Sequence, residues 1–283
     1  MRYVFISDVH GAFNKMIKAL DEINFNKETD TLVSLGDPFD RGPDSYKVLE
    51  YLLSCPNRIL IWGNHDLRLR ELMLGDRIGS HDYHNGVLDT MKSFCGNSAL
   101  TSIDLAINIF NTDDNYKDRL LLLWQYFYEC HFAVEFSDLV GTHAWIPVLV
   151  DSKRTIYDKW GMPMSKLYYR YDKNWRETSY DVWVDVTWGH SQDMFDQKMF
   201  PPEKKLIIGH WHAWRLRAFA SKGAVVYRKE EDIDFNTFEW EDKFVAIDGC
   251  TSLESGKVNT WIYESNETPV LIDEQRIIFP DNE

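Results

Sequence analysis

The stretch Tyr3-Val4-Phe5-Ile6-Ser7-Asp8-Val9-His10-Gly11 decides the reading of the chain. A short apolar run ending in a polar cluster with glycine is the pattern of a buried strand that delivers side chains to the rim of a sheet. The pattern recurs twice. Thr31 to Leu35 runs into Gly36-Asp37-Pro38-Phe39-Asp40-Arg41-Gly42, and Arg58 to Trp62 runs into Gly63-Asn64-His65-Asp66. Between these strands, Phe13, Met16, Ile17, Leu20 and Ile23 recur at helical spacing, and Tyr46, Val48, Leu49, Leu52 and Leu53 do the same. Strand, helix, strand, helix, strand with such short connections predicts right-handed crossovers and a largely parallel sheet. Ligands of open α/β sheets bind at the carboxyl ends of the strands, so the three polar clusters converge on one rim.

Outward from this core the texture changes. Residues 67 to about 131 read as a helical insertion, with helix over Leu67–Leu74, Ala99–Phe110 and Lys117–Glu129. Strands are expected at 132–136, 139–142, 205–208, 244–247, 258–263 and 270–272. Residues 151–200 are rich in Trp and Tyr without clean periodicity and read as a long functional loop region. Residues 230–242 hold seven acids and no Lys or Arg, the composition of a solvated loop.

Composition narrows the classes. A prior of roughly 150 residues per domain permits two domains in 283 residues, but one large α/β domain over 1–283 is the expectation. Hydrophobic residues at 44% leave no room for a disordered chain. Lys+Arg 31 against Asp+Glu 45 gives −14, which argues against nucleic-acid binding. It leaves phosphorylated substrates open, because a metal cluster can supply local positive charge. No apolar run approaches the roughly 18 residues of a membrane span, and no signal segment is expected before Asp8. Four scattered cysteines without a C-x-x-C pair predict reduced thiols and a cytoplasmic location.

Asp8 and His10 are two apart, so an extended chain puts both on one face, a carboxylate and an imidazole suited to a first-row transition metal. Asp37 leaves the next strand beside them, where its two oxygens can bridge two ions. Later, Val140-Gly141-Thr142-His143-Ala144 and Leu206-Ile207-Ile208-Gly209-His210-Trp211-His212 put three more histidines at strand ends. A lone histidine there is more often a core or surface residue. The pair His210/His212 repeats the two-residue spacing and is the stronger signal.

D-x-H, G-D-x-x-D-R-G, G-N-H-D, the separate His143 and G-H-x-H together resemble the calcineurin-like metallophosphoesterases. D-R-G followed by G-N-H-[DE] is similar to the phosphoprotein-phosphatase branch, which includes bacterial and phage Ser/Thr phosphatases and symmetrical diadenosine tetraphosphatases. The resemblance covers 8–66, 141–144 and 209–212, and Val245–Gly249 and Gly256–Asn259 look like the family's closing strands. It implies an α/β fold of two sheets in a β-sandwich flanked by helices, with the helical insertion as one wall of a metal cleft. It also implies two divalent metal ions, Mn²⁺ first, with Fe or Zn²⁺ as alternatives. Asp8, His10, Asp37 and His212 would hold one, and Asp37, Asn64, His143 and His210 the other. His212 follows the wider superfamily's pattern, which phosphoprotein phosphatases often lack. His65 would be the general acid, oriented by Asp40, and Arg41 with Asn64 would bind the phosphate.

The implied activity is phosphoester hydrolysis by a hydroxide between the metals, two ions about 3.5–4 Å apart lowering the pKa of a shared water. A phosphomonoesterase or protein Ser/Thr phosphatase is the first reading, and a symmetrical dinucleoside polyphosphate hydrolase the alternative. A phosphodiesterase or a non-catalytic scaffold is remoter, since every ligand position is filled. The partner is then a phosphorylated protein or a small phosphorylated or nucleotide substrate. Two departures stand out. Many relatives have a second phosphate-binding arginine before the later G-H, where this chain has Trp188-Gly189-His190; Arg154, Arg170 and Arg176 are the candidates. Asp66 replaces the Glu frequent in protein-directed members and leans toward dinucleotide-directed ones. Trp145, Trp160, Trp175, Trp183, Trp188, Trp211 and Trp214 read as core more than as stacking platforms, and His81, His84 and His131 have no motif context.

Overall fold

In the computed structural model, which describes residues 1–157, 162–189, 191–221 and 229–273, the chain opens in strict alternation. The order is β1 (Arg2–Ile6), α1 (Phe13–Glu22), β2 (Thr31–Ser34), α2 (Ser45–Ser54) and β3 (Arg58–Ile61). Helices follow: α3 (Asn64–Met73), α4 (Ser80–Asn85), α5 (Val87–Cys95), α6 (Ile103–Thr112) and α7 (Lys117–Glu129). Then come β4 (Cys130–His131), β5 (Ala133–Glu135), β6 (Leu139–Thr142), β7 (Val148–Tyr157) and β8 (Pro163–Tyr171). The chain continues with α8 (Tyr180–Thr187), α9 (Ser191–Asp196), β9 (Lys205–Ile208) and α10 (Ala213–Ala220). It closes with β10 (Phe238–Trp240), β11 (Phe244–Ala246), β12 (Trp261–Glu264) and β13 (Val270–Ile272).

The strands form two main sheets, ordered β12-β1-β2-β3-β4 and β10-β11-β9-β6-β5-β13. β1 through β4 are parallel, as are β6, β9 and β11; the antiparallel pairs lie toward the edges. Period-two alternation explains the layers. Tyr3, Phe5, Val33, Ile59 and Ile61 of the first sheet share an apolar layer with Val134, Leu139, Ile207 and Val245 of the second. The alternate residues Val4, Ile6, Leu32 and Leu60 join Met16, Leu20, Val48 and Leu52 of α1 and α2 in the larger core. Val87, Met91, Phe94, Phe110 and Leu123 of the helical segment belong to that same cluster, so 64–129 packs as part of it.

Several elements were hidden from periodicity. The stretch 151–200 is not a loop: β7 and β8 form an antiparallel hairpin, followed by α8 and α9. A register shift between Val150 and Ser152 breaks the alternation, and β8 is exposed or half-buried along its length, so no buried stripe marks it. Within the acidic stretch 230–242, β10 pairs antiparallel with β11 and buries Phe238. Trp145, Trp175 and Trp183 are core residues, whereas Trp188 is 45% exposed; Trp160 and His190 fall outside the described residues. The four cysteines are free and buried. Among the described residues no helix is long and apolar enough to cross a membrane.

Candidate metal centre

The carboxyl ends of β1, β2, β3, β6 and β9 meet at one rim, and their turns are tightly wound. Asp8, His10, Asp37, Asp40, Arg41, His210 and Cys250 all have φ between 47° and 69°. Left-handed backbone costs a non-glycine residue on the order of 1–3 kcal/mol, and such residues gather where structure around them over-determines the turn. Here the first two turns are zipped together by Asp8 N–H to Gly36 O (3.1 Å), His10 N–H to Asp37 O (3.0 Å) and Gly11 N–H to Pro38 O (2.8 Å). Asp66 clamps the third turn to the second: one oxygen accepts from Gly63 N–H (2.8 Å) and Asp37 N–H (3.1 Å). Two glycines permit the crowding. A Cβ on Gly63 would lie 2.1 Å from Asp37 Oδ1, and one on Gly209 would lie 1.7 Å from Ser7 Oγ.

Asp37 is the hub. Its Oδ2 lies 3.5 Å from His143 Nε2, 3.8 Å from His10 Nε2 and 3.9 Å from His65 Nε2. One ligand atom from each of His10, Asp37 and His65 falls within 4.8 Å of the others, and so for Asp37, His143 and His210. Asp8 Oδ1 is 3.9 Å from His10 Nε2, while its Oδ2 accepts from His210 N–H at 2.9 Å. Backbone carbonyls set the tautomers: His10 Nδ1 donates to Phe39 O (2.8 Å) and His143 Nδ1 to Leu35 O (2.7 Å). Both Nε2 atoms are thereby left with a lone pair toward the cleft.

That arrangement fits a cation. His143 Nε2 faces Asn64 Oδ1 at 2.9 Å, two lone-pair donors pointed at each other, which a positive charge beside them stabilises. Burial raises the Asp8 carboxyl well above its usual range, and the neighbouring Asp248 and Asp37 add to it. Burial also pushes Asp37 up, but His143, His65, His10 and His210 outweigh it and hold this carboxyl low. Burial keeps His10 neutral, helped by Arg41 and His65, and brings His210 down to about 3, helped by His143. Neutral imidazoles, carboxylates and an amide oxygen without thiolate suit first-row divalent ions. Arg41 Nη1 sits 2.8 Å from His10 Nε2, so a metal on that nitrogen requires the guanidinium to move off it.

His65 differs from the other histidines. Its Nδ1 donates to Asp40 Oδ2 at 2.7 Å, and its Nε2 meets Arg41 Nη2 at 3.1 Å. Burial opposes its imidazolium, yet Asp37 and Asp40 outweigh burial and raise its pKa. His212 stands apart from both close-donor groups: Nδ1 bonds Asp248 Oδ2 at 2.8 Å, and Nε2 lies 3.5 Å from Cys250 Sγ. Burial would lower its pKa, but Asp248 dominates and pushes it up to about 10. The structure thus brings together Asp8, His10, Asp37, Asn64, His65, His143 and His210, with Asp40 and Arg41 behind them, and places His212 on the wall of the same cleft, bonded to Asp248.

Other residues had no motif to announce them. Thr90 of α5 accepts from Asp40 N–H (2.8 Å) and donates to Asp40 Oδ1 (2.7 Å), bringing the helical segment to the site. Asn85, Trp188 and Arg215 line the same cleft of about 470 Å³. Of the arginines considered from sequence, Arg176 is bound to Glu135 (Nε to Oε2, 2.6 Å), and Arg154 and Arg170 belong to the β7–β8 hairpin. None of the three lines the cleft. Only the three-residue step from His212 to the first turn of α10 could have flagged Arg215.

The chain belongs to the calcineurin-like phosphoesterase family, which matches residues 1–236. It is 45% identical over 73 residues to a symmetrical bis(5'-nucleosyl)-tetraphosphatase of Hamiltonella defensa, covering 25% of this chain and 26% of that one. It is 41% identical over 89 residues to the Erwinia tasmaniensis protein of the same name, covering 31% and 32%. The matched stretch thus spans about a quarter to a third of these curated relatives. Among solved structures, a cold-active protein tyrosine phosphatase superposes with a TM-score of 0.50 at 14% identity, over 96% of this chain and 79% of that one.

Proposed function

We propose that this chain hydrolyses a dinucleoside polyphosphate at a dinuclear centre held by Asp8, His10 and Asp37 on one side and Asp37, Asn64, His143 and His210 on the other. The order expected from sequence, phosphomonoester first, is reversed here. The observation that carries this reading is a two-sided groove. The metal-side cleft shares His10, Arg41 and Ser252 with a second cavity of about 550 Å³ that runs past Phe13 and Asn14. A monoester uses one side of such a centre; a substrate with a nucleoside at each end uses both. The sequence likeness to symmetrical tetraphosphatases, confined to part of the chain, supports the same reading.

Bound metal ions, Mn²⁺ the first to try, would supply Lewis-acid charge and an activated water. The chain's own residues do the rest. Arg41 Nη2 lies 3.1 Å from His65 Nε2, so once a metal on His10 moves the guanidinium off that ring, a phosphoryl oxygen accepting from Arg41 would sit beside His65. Asp40 fixes His65 Nδ1–H and favours the imidazolium, leaving Nε2 to hand a proton to the leaving oxygen. A net charge of −14 accords with a small anionic substrate drawn by the site alone. Buried reduced thiols accord with a cytoplasmic setting.

The test is a turnover panel on metal-stripped protein reloaded with Mn²⁺, comparing diadenosine tetraphosphate, a phosphothreonine peptide, an aryl phosphate and a bis-aryl phosphodiester. Dinucleotide turnover well above the others, with ADP as product, is expected. Peptide turnover above dinucleotide turnover would restore the protein-phosphatase reading.

A further inference from the structure

Five arginines, Arg2, Arg58, Arg68, Arg176 and Arg217, each meet a carboxylate. Arg215 does not. Among the described residues it has no carboxylate partner, although the chain carries 45 acids. Its guanidinium carbon lies 5.3 Å from the Trp214 ring, and its Nε–H is buried with no hydrogen-bond partner. The buried Nε–H is closed to solvent, but a guanidinium that lines a cleft without a carboxylate partner is left to take an anion there. The position is fixed: Arg215 N–H donates to His212 O at 2.9 Å, and the Trp214 indole stacks on the His212 ring at 14°. Arg215 therefore lines the metal-side cleft on the His212 wall, and with Arg41 it supplies the arginines of that cleft. Arg41 Nη2 already lies 3.1 Å from His65 Nε2, the other end of the cleft's arginine pair.

We propose that Arg215 binds a second phosphate of the substrate, next in the chain to the one hydrolysed, so that the cleft selects pyrophosphate-linked substrates over simple monoesters. This rests on the dinucleoside polyphosphate reading. One phosphate accepts from Arg41 beside His65, and its neighbour accepts from the Arg215 fork, with Trp188 exposed at the rim beyond. A monoester has nothing to offer Arg215.

The experiment uses Mn²⁺-loaded protein and the variants Arg215→Ala and Arg215→Lys. Binding of inorganic tripolyphosphate and of orthophosphate is followed by tryptophan fluorescence, and kcat/KM is measured on diadenosine tetraphosphate and an aryl phosphate. The parent binds tripolyphosphate more tightly than orthophosphate. Arg215→Ala removes that preference and lowers the dinucleotide-to-aryl ratio of kcat/KM by about 10–100-fold, the size of a lost charge-assisted hydrogen bond, and Arg215→Lys recovers part of it. Equal losses on both substrates, or an unchanged tripolyphosphate preference, would overturn the proposal. If the parent ignores the dinucleotide while Arg215→Ala still weakens tripolyphosphate, the dinucleotide reading fails and the subsite stands.

Discussion

Thr90→Val replaces a hydroxyl by a methyl at nearly constant volume, in a side chain that is completely buried. That hydroxyl accepts from Asp40 N–H at 2.8 Å and donates to Asp40 Oδ1 at 2.7 Å. The variant leaves a buried amide unpaired, at about 1–3 kcal/mol, and strips a carboxylate oxygen of a donor, at about 1.5–3 kcal/mol. Partial relaxation should leave a net loss of roughly 2–4 kcal/mol, because Asp40 is held at φ 69° and the turn has little freedom to find new partners. The bond from His65 to Asp40 Oδ2 survives, so catalysis should fall far less than on losing His65 itself, by roughly 3–10-fold. Urea unfolding gives the first quantity, and turnover of an aryl phosphate with metal content measured in parallel gives the second. Thr90→Ser, which keeps the hydroxyl, should recover most of both. A Thr90→Val protein as stable as the parent would refute the reasoning. So would one that loses bound metal, which would place Thr90 behind the ligands and not behind the acid.

Three further outcomes follow from the geometry. His65→Asn should keep both metals yet slow a phosphothreonine peptide by about 10²–10⁴-fold, and slow the dinucleotide less, because a leaving phosphate is a weaker base than an alkoxide; metal loss on elemental analysis would make His65 a ligand. Gly209→Ala would set a Cβ 2.3 Å from Asp8 Oδ2 and should displace that carboxylate, lowering activity by about 10²-fold together with metal occupancy; a fully loaded, active variant would contradict the close packing seen at β9. Burial would raise the Asp82 carboxyl, but bonds from Arg68 and the Gly79 amide outweigh it and hold its pKa below the usual range. Its contribution is thus present above the ordinary carboxylate pKa and is lost as pH falls through the depressed folded value; Asp82→Asn should flatten the acid limb of a urea-measured stability profile, and an unchanged limb would count against the pair.

Much of the site was legible because its residues sit where short apolar strands stop. The positions of Asp8, Asp37 and Asn64 follow from strand ends alone, since β1, β2 and β3 are buried on both faces and read as continuous apolar runs. Thr90 and Arg215 were not legible. Each acts through a helix whose own pattern reports only its buried face: α5 shows Val87, Met91 and Phe94, and nothing in that stripe says that Thr90 reaches Asp40 fifty residues earlier. The β7–β8 hairpin escaped for the opposite reason, having no buried face to produce alternation.

The turns explain why these motifs are so compact in sequence. An extended strand could present Asp8 and His10 on one face, but each of these residues is wound to positive φ, which turns the chain back so that Asp8 N–H and His10 N–H both reach carbonyls of the second turn. The same winding at Asp37 and Asp40 brings the hub carboxylate and the partner of His65 within one three-residue step. Asp and His tolerate this region better than β-branched residues do, and their side chains are the ones the chemistry requires. The proposed ligand set and the turn geometry are therefore served by the same residues. Exchange of Asp37 for a β-branched residue should then damage the fold as well as the metal site, whereas Asn, which tolerates the same φ, should damage the metal site alone.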